Sequence, residues 1–281
     1  MLNKKYQQWG IIHEKLSVDE AMTRYYGHHS SLVRGKPVRF GFKNWSLCSS
    51  NGYCYSVDTY CGKTKGNPGD IQQPLGSRVV LSLLKCVCVY PVIIFLSLLS
   101  DLKRLGFRAT GTLRQNRTEK SPLIPVKEME KKKRGSYDSA FDSKNELLLI
   151  RWNDNSVCTI ATNYDFLEPL QNDDVKQPNV FKAYNNGMGG VDSNDQVVNN
   201  YRISVRGKKW YWPLITSMFN VAMVNAWKLH QLVSEDKMDL LLFVRNVTRY
   251  YLRFSTKEHG KSRNSASVPK SIVEDDIGSL S

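Results

Sequence analysis

Apolar and polar residues change period several times along this chain, and each change marks an element. "KLSVDEAMTRYYG" (residues 15–27) opens on a short alternation that predicts a strand ending near Asp19. "PVRFGFKNWSLCSS" and "GYCYSVDTYCG" follow as two strands rich in Val, Phe, Tyr and Cys, with Ser49 to Gly52 as the turn between them. Three antiparallel strands are therefore expected in the first 62 residues. Pro and Gly make "KGNPGDIQQPLGS" a loop, and "SRVVLSLLK" after it has helical spacing. "CVCVYPVIIFLSLLS" (86–100) is a charge-free run of 15 residues between Lys85 and Asp101. A membrane-spanning helix needs about 20 apolar residues, and the β-branched content and Pro91 favour a buried strand joined to a following helix. Ser100 or Asp101 is placed to cap a short helix ending at Gly106, and "FRATGTL" then reads as a strand.

Past residue 118 the pattern becomes polar. "EKSPLIPVKEMEKKKRGSYDS" predicts a short surface helix and a loop. "ELLLIRWNDNSVCTIATN" is the clearest local signal, two apolar strands flanking "NDNS" as a β-hairpin, and it suggests a small β-rich module near 107–170. "EPLQNDDVKQPN" reads as a polar connector, and helix is expected after Asp192 to about Asn199. "WYWPLITSMFNVAMVNAWKLHQLV" (210–233) has apolar residues at three- and four-residue spacing, with Pro213 in the first turn, where proline is tolerated. "DLLLFVRNVTRYYLRFS" adds a further helix, and the polar residues after 255 read as a disordered tail.

Composition narrows this picture. With 281 residues and 41% hydrophobic residues, the chain can form a real core. Its net charge of +14 favours a polyanionic partner, most simply nucleic acid. Cysteines at Cys48, Cys54, Cys61, Cys86, Cys88 and Cys158 lack the paired spacing of a zinc knuckle and read as reduced thiols of an intracellular protein. The first residues, "MLNKKYQQWG", contain no apolar signal-peptide run.

Candidate chemistry is confined to carboxylates. There is no G-x-S-x-G, no complete phosphate-binding loop, and His13, His28, His29, His230 and His259 make no metal-ligand spacing. Chains that act on nucleic-acid phosphates gather Asp and Glu around divalent metal, because hard carboxylate oxygens suit Mg²⁺. Asp19 with Glu20 ends a predicted strand, whereas Asp192 and Asp195 follow a pair of glycines and open a predicted helix. By themselves these residues favour a plainer reading. "SVDEAM" reads as a helix N-terminus whose acids complement the dipole, and Asp192 as an N-cap with Asp195 at the third helical position.

In order, "LSVDEAM", "GKPVRFGFKNWSLC", "GFRATGTLRQNRT", "KKKRGSYD", "IRWNDNSV", "YNNGMGGVDSNDQ" and "YRISVRGKKWYWPL" resemble the transposase domain of the piggyBac family of DNA transposons and their derivatives, from about Leu16 to Phe254. The resemblance implies an α/β fold, an RNase H-like mixed-sheet catalytic core interrupted by a small β-rich insertion domain. Residues 1–106 would form the first part of the core, 107–175 the insertion domain and 176–254 the second, mostly helical part, before the tail at 255–281. It also implies strand cleavage and transfer by three aspartates with Mg²⁺. Asp19 stands at the first position and Asp192 at the third, with Asp195 a further acid of the metal-binding motif.

The family's second aspartate belongs in an apolar strand just ahead of "SDLKRLGF". Tyr90 to Leu99 contain no Asp, Glu, Asn or His, although both flanks are intact, as after a local deletion or a frame scramble. Asp101 and Asp70 are the nearest substitutes. Only 18 residues precede Asp19, and no cysteine follows Cys158. The N-terminal region that relatives use for DNA binding and dimerisation, and their cysteine-rich zinc domain, are thus expected to be missing, which leaves the oligomeric state open. The resulting expectation is a catalytically inactive, transposase-derived nuclear protein with weak or absent Mg²⁺ binding. Its partner would be double-stranded DNA, bound weakly and non-specifically through Lys127 to Arg134 and Arg206 to Lys209, with no membrane role. An active Mg²⁺-dependent enzyme and a decayed remnant or faulty gene model are the alternatives.

Overall fold

The computed structural model describes residues 2–9, 13–27, 31–32, 38–60, 75–84, 96–118, 121–168, 171–172, 176–203, 205, 207 and 209–258. These fall into two units, Met1–Ser234 and Glu235–Ser281.

The first unit opens with helix α1 (Leu2–Gln7) and strand β1 (Leu16–Arg24). After the short β2 (Ser31–Leu32) come β3 (Phe40–Ser49) and β4 (Cys54–Thr59). All pairings are antiparallel. β3 lies in the middle, with β1 along one side and β2 and β4 along the other. This is the predicted three-strand meander, with one difference in β1. The strand does not end near Asp19, nor does "SVDEAM" start a helix; β1 runs on to Arg24. Met22, Thr23 and Arg24 pair with Lys43, Phe42 and Gly41. The hydroxyl of Thr23 accepts a bond from Asn44 Nδ2 at 2.8 Å, so long-range partners override the local acidic signal.

The two faces of β1 separate by its two-residue period. Leu16 and Val18 join Trp45 and Leu47 of β3 in the main core. Helix α2 (Leu75–Leu84) adds Val79, Val80, Leu83 and Leu84 to it, and helix α3 (Leu96–Arg104) adds Leu98, Leu99 and Leu102. α3 starts earlier than expected. Its buried leucine stripe begins at Leu98, so Ser100 and Asp101 lie inside the helix, and Ser100 Oγ donates back to the Leu96 carbonyl instead of capping. The strand expected at 86–95 lies outside the described residues.

A second antiparallel sheet contains β5 (Thr110–Thr112), β6 (Tyr137–Asp142), β7 (Leu147–Asn153) and β8 (Val157–Thr162), in the order β5-β8-β7-β6. β7 and β8 are the predicted hairpin. β6 was hidden by its own composition, because "YDSAFD" mixes polar and apolar residues on a half-exposed edge. The surface helix expected before it is α4 (Val126–Met129). Both faces of this sheet are covered. Leu147, Leu149 and Ala161 share the main core, while Ile150, Trp152 and Ile160 pack against Val180 and Phe181. Each such fully buried side chain contributes about 1.5–3 kcal/mol.

The polar connector holds a two-strand pair, β9 (Gln171–Asn172) and β10 (Lys176–Gln177). Three helices follow: α5 (Asn179–Met188), α6 (Gly190–Asn200) and α7 (Trp212–Val233), the last with Pro213 in its first turn as expected. Among the described strands β4 lies at the edge of its sheet, and two asparagines close its outer side. Asn225 of α7 accepts from Cys54 N at 2.8 Å and donates to Cys54 O at 2.7 Å. Asn3 of α1 makes the same pair of bonds with Val57, each 3.1 Å. The side-chain amides stand in for a neighbouring strand and prevent edge-to-edge pairing.

The second unit contains α8 (Leu240–Glu258), whose N-terminus is capped by Asp239 Oδ1 accepting from Leu242 N at 2.7 Å. The helix passes residue 255, where the tail was expected to begin; residues 259–281 lie outside the described set. Among the described residues, no helix is long and apolar enough to cross a membrane.

Candidate functional site

Ser17, Asp19, Ala21 and Thr23 occupy the face of β1 opposite the main core. Ser17 Oγ accepts from Val191 N of α6 at 3.1 Å, and Ala21 and Val221 of α7 both pack against the small cluster of Cys48, Cys54 and Val191. Thr23 Oγ1 donates to Ser217 Oγ at 3.0 Å. Asp19 stands between Ser17 and Ala21, half-buried, on the face of β1 that bonds to α6 through Ser17. Its charge also reaches α5. Burial, followed by the charges of Cys158 and Asp19, pushes the Tyr184 phenol up against an opposing hydrogen bond with Thr112.

The segment "YNNGMGGVDSNDQ" is not a turn leading into a capped helix. Its first five residues complete α5, Gly189 joins the helices, and α6 starts at Gly190. Asp192 therefore lies within the first turn and Asp195 beyond it, while Gly189 occupies the cap position. The reason is steric. A Cβ at Gly190 would overlap the Ser49 carbonyl oxygen and come within 2.6 Å of Ser17 Oγ, so only glycine lets the helix start so close to the sheet. Asn194 Nδ2 then donates to the Gly52 carbonyl at 2.8 Å. Gly52, at φ +85, makes the β3–β4 turn in a conformation that favours glycine.

Asp192 and Asp195 line an open cleft of about 850 Å³ with Arg24, Gln196, Asn199 and Arg202. Burial, with Arg24 nearby, pulls the Arg202 guanidinium down, and Asp195 opposes this. Asp195 thus acts as counter-charge to Arg202, a role its spacing did not reveal. Asp101 is elsewhere. It pairs with Arg104 one helical turn on and lines a different cavity, beside Ser143 and Glu146 of the β6–β7 turn. Asp70 and residues 85–95 lie outside the described residues.

Asp19 and Asp192 bring two carboxylates to facing elements. Among the described residues, no group of three His, Cys, Asp or Glu is arranged to hold a metal ion. A two-ion site draws on more carboxylates than this pair, so the described residues do not by themselves fit a complete magnesium centre.

The basic turn Lys127–Arg134 is exposed and firmly anchored. Met129 is fully buried beneath it, and Asn153 Nδ2 donates to the carbonyls of Met129 at 3.0 Å and Lys132 at 2.9 Å. Arg134 also bonds Asp154 at 2.7 Å. In the second basic segment Lys209 is exposed, while Arg206 and Lys208 lie outside the described residues.

Residues 1–227 match the family described as Transposase IS4, which sets the class of protein. Within that class, the chain belongs to the piggyBac family. It is 34% identical over 301 aligned positions to human PiggyBac transposable element-derived protein 2, covering 99% of this chain and 51% of that protein. Against human PiggyBac transposable element-derived protein 3 it is 35% identical over 259 positions, covering 84% of this chain and 43% of that protein. The chain thus spans about half the length of these relatives. The fold resembles that of the chain in a cryo-EM structure titled as a piggyBac transposase synaptic complex with hairpin DNA. The TM-score is 0.75 at 21% identity, over 94% of this chain and 57% of the other.

Proposed function

We propose that this chain is a catalytically inactive derivative of a piggyBac transposase that retains non-specific affinity for duplex DNA in the nucleus. In this reading the first sheet with α5 to α7 forms an RNase H-like core, and the second sheet is the inserted β-rich domain. The observation that carries the proposal is the absence of any acidic residue from Tyr90 to Leu99 between intact flanks. Asp101 does not substitute, because it is tied to Arg104 beside another cavity. Losing one carboxylate of three removes a ligand that apolar side chains cannot replace, so Mg²⁺ would be held weakly and strand cleavage would fail. The alignment of 301 positions exceeds the 281 residues of this chain, so the first relative carries residues without a counterpart here, which supports a deletion.

The test is a nicking assay on pre-cut transposon-end duplex with Mg²⁺ or Mn²⁺. The expected result is no product, from the parent chain or from Asp19→Ala and Asp192→Ala. Cleavage by the parent that either substitution abolishes would overturn inactivity. DNA binding is tested separately by titrating salt. The logarithm of affinity should fall linearly with the logarithm of salt, with a slope of about −0.9 per phosphate contact. Replacing Lys131, Lys132 and Lys133 by alanine should flatten that slope, and an unchanged slope would exclude the Lys127–Arg134 turn. Sequencing genomic DNA and transcript across codons 85–100 distinguishes an authentic deletion from a faulty gene model.

A further inference from the structure

A second cleft, separate from the one lined by Asp192, opens between the start of β1, the strand β5 and helix α5. Its volume is about 250 Å³, below the roughly 300–1,000 Å³ of pockets for drug-sized ligands and suited to a single ring system. Ala183 supplies apolar wall, Lys15 and Arg108 bring positive charge, and Glu14 and Tyr184 complete the lining. The Tyr164 ring is exposed, with the Arg108 guanidinium 5.9 Å from its centroid. Asp165 is held in place: its Oδ2 accepts from Thr110 Oγ1 at 3.2 Å, and its backbone N–H donates to Thr162 Oγ1 at 3.1 Å.

Gly187, in the last turn of α5, leaves the cleft open on its helical side: a Cβ there would meet no atom of the chain within 4 Å.

We propose that this cleft receives one nucleobase, stacked on Tyr164 and read along its edge by Asp165, with Lys15 and Arg108 placed for an attached phosphate. Aromatic faces bind unpaired bases by stacking, and a carboxyl group pairs with the amino and imino edge of a base. Burial, the largest influence on Asp165, pushes its carboxyl up, against hydrogen bonds from Tyr164 and Thr110 and the charges of Lys15 and Arg108. The base is either a free nucleoside or one extruded from a DNA strand, and only the second source rests on the DNA-binding reading above.

The experiment titrates the full chain with the four deoxynucleosides, inorganic phosphate and deoxyribose 5-phosphate, using ligand-observed NMR. In parallel it measures affinity for a paired duplex and for one carrying a single unpaired base. Saturable binding of at least one nucleoside is expected, weakened at least tenfold by Tyr164→Ala and by Gly187→Leu. Gly187→Leu fills the hollow while favouring helix, so its thermal midpoint should hold or rise, which separates blocked binding from misfolding. Failure of every nucleoside to bind, or equal binding by the Gly187→Leu protein, would overturn the proposal, as would binding of the phosphates alone. A gain in affinity for the unpaired-base duplex that Gly187→Leu removes identifies DNA as the source; nucleoside binding without that gain identifies free nucleosides. Loss of paired-duplex binding would count against the DNA reading and leave the nucleoside result intact.

Discussion

Asp192 and Asp101 are both aspartates on short helices of the first unit, and their surroundings could hardly differ more. Asp192 rides on a helix whose start is pressed against the sheet by Gly190, tied to Ser17 through Val191 N and to the β3–β4 turn through Asn194. Asp101 sits in mid-helix, paired with its own neighbour Arg104 at the surface. The bonds that seat the helix of Asp192 on the sheet come from residues far away in the chain, whereas the partner of Asp101 is local. Proximity in sequence to the acid-free stretch from Tyr90 to Leu99 therefore says little about membership of a site. What matters is whether distant backbone holds the element still.

That contrast can be broken most sharply at Gly190. Gly190→Val would force its side chain into the Ser49 carbonyl, which belongs to a strand end and cannot rotate away. We expect a loss of about 3 kcal/mol or more in urea denaturation, in line with overpacking against fixed backbone. A loss below about 0.5 kcal/mol, the size of an ordinary surface change, would mean that the close seating of α6 is wrong. Asn194→Ala tests the same seat more gently. It leaves the buried Gly52 carbonyl without this donor, and about 1–2 kcal/mol should be lost.

A smaller effect concerns pH. The β3–β4 turn is braced by His13, whose Nε2 lies 3.1 Å from Asn51 Nδ2 and whose Nδ1 meets the Tyr55 hydroxyl. Lys228 also reaches this turn, donating to the Asn51 carbonyl. Burial, followed by the charge of Lys228, holds the His13 imidazole below its ordinary value. The folded state therefore prefers the neutral ring. Its stabilising contribution is present above the unfolded value of about 6.5 and is lost as pH falls through the folded value. Compared with the parent, His13→Gln should lose less thermal stability between pH 7.5 and 5.5, a window set around that value of about 6.5. Equal acid slopes in the two proteins would remove His13 from the account. The smallest effect should come from Asp101→Asn, which breaks only a local surface pair and should change stability by less than about 0.5 kcal/mol. A large loss there would erase the contrast with Asp192.

Legibility followed the range of the forces involved. The β7–β8 hairpin and α7 could be read directly, because turn residues at "NDNS" and the apolar spacing of 210–233 are local signals. The full length of β1 could not, since Thr23 and Arg24 are held by β3 and α7 and not by their neighbours in sequence. α5 was hidden because its polar stretch "AYNNGM" gains its helix from Val180 and Phe181 packing on the second sheet. Asn225 was visible as one of two asparagines in an apolar helix, but its work at the edge of β4 lies 171 residues away.

The order and spelling of its motifs were enough to place this chain in its family and to expose an apolar stretch without acids from Tyr90 to Leu99, since both are properties of covalent sequence. The tertiary structure alone decided which acids share a neighbourhood. It seated α6, which carries Asp192 and Asp195, on the face of β1 that carries Asp19, brought Asp195 within reach of Arg202, and set Asp101 apart. It did so because the close approach of α6 to the first sheet depends on the space at Gly190 and on the carbonyls of Ser49 and Gly52. Those atoms meet only once the chain has folded.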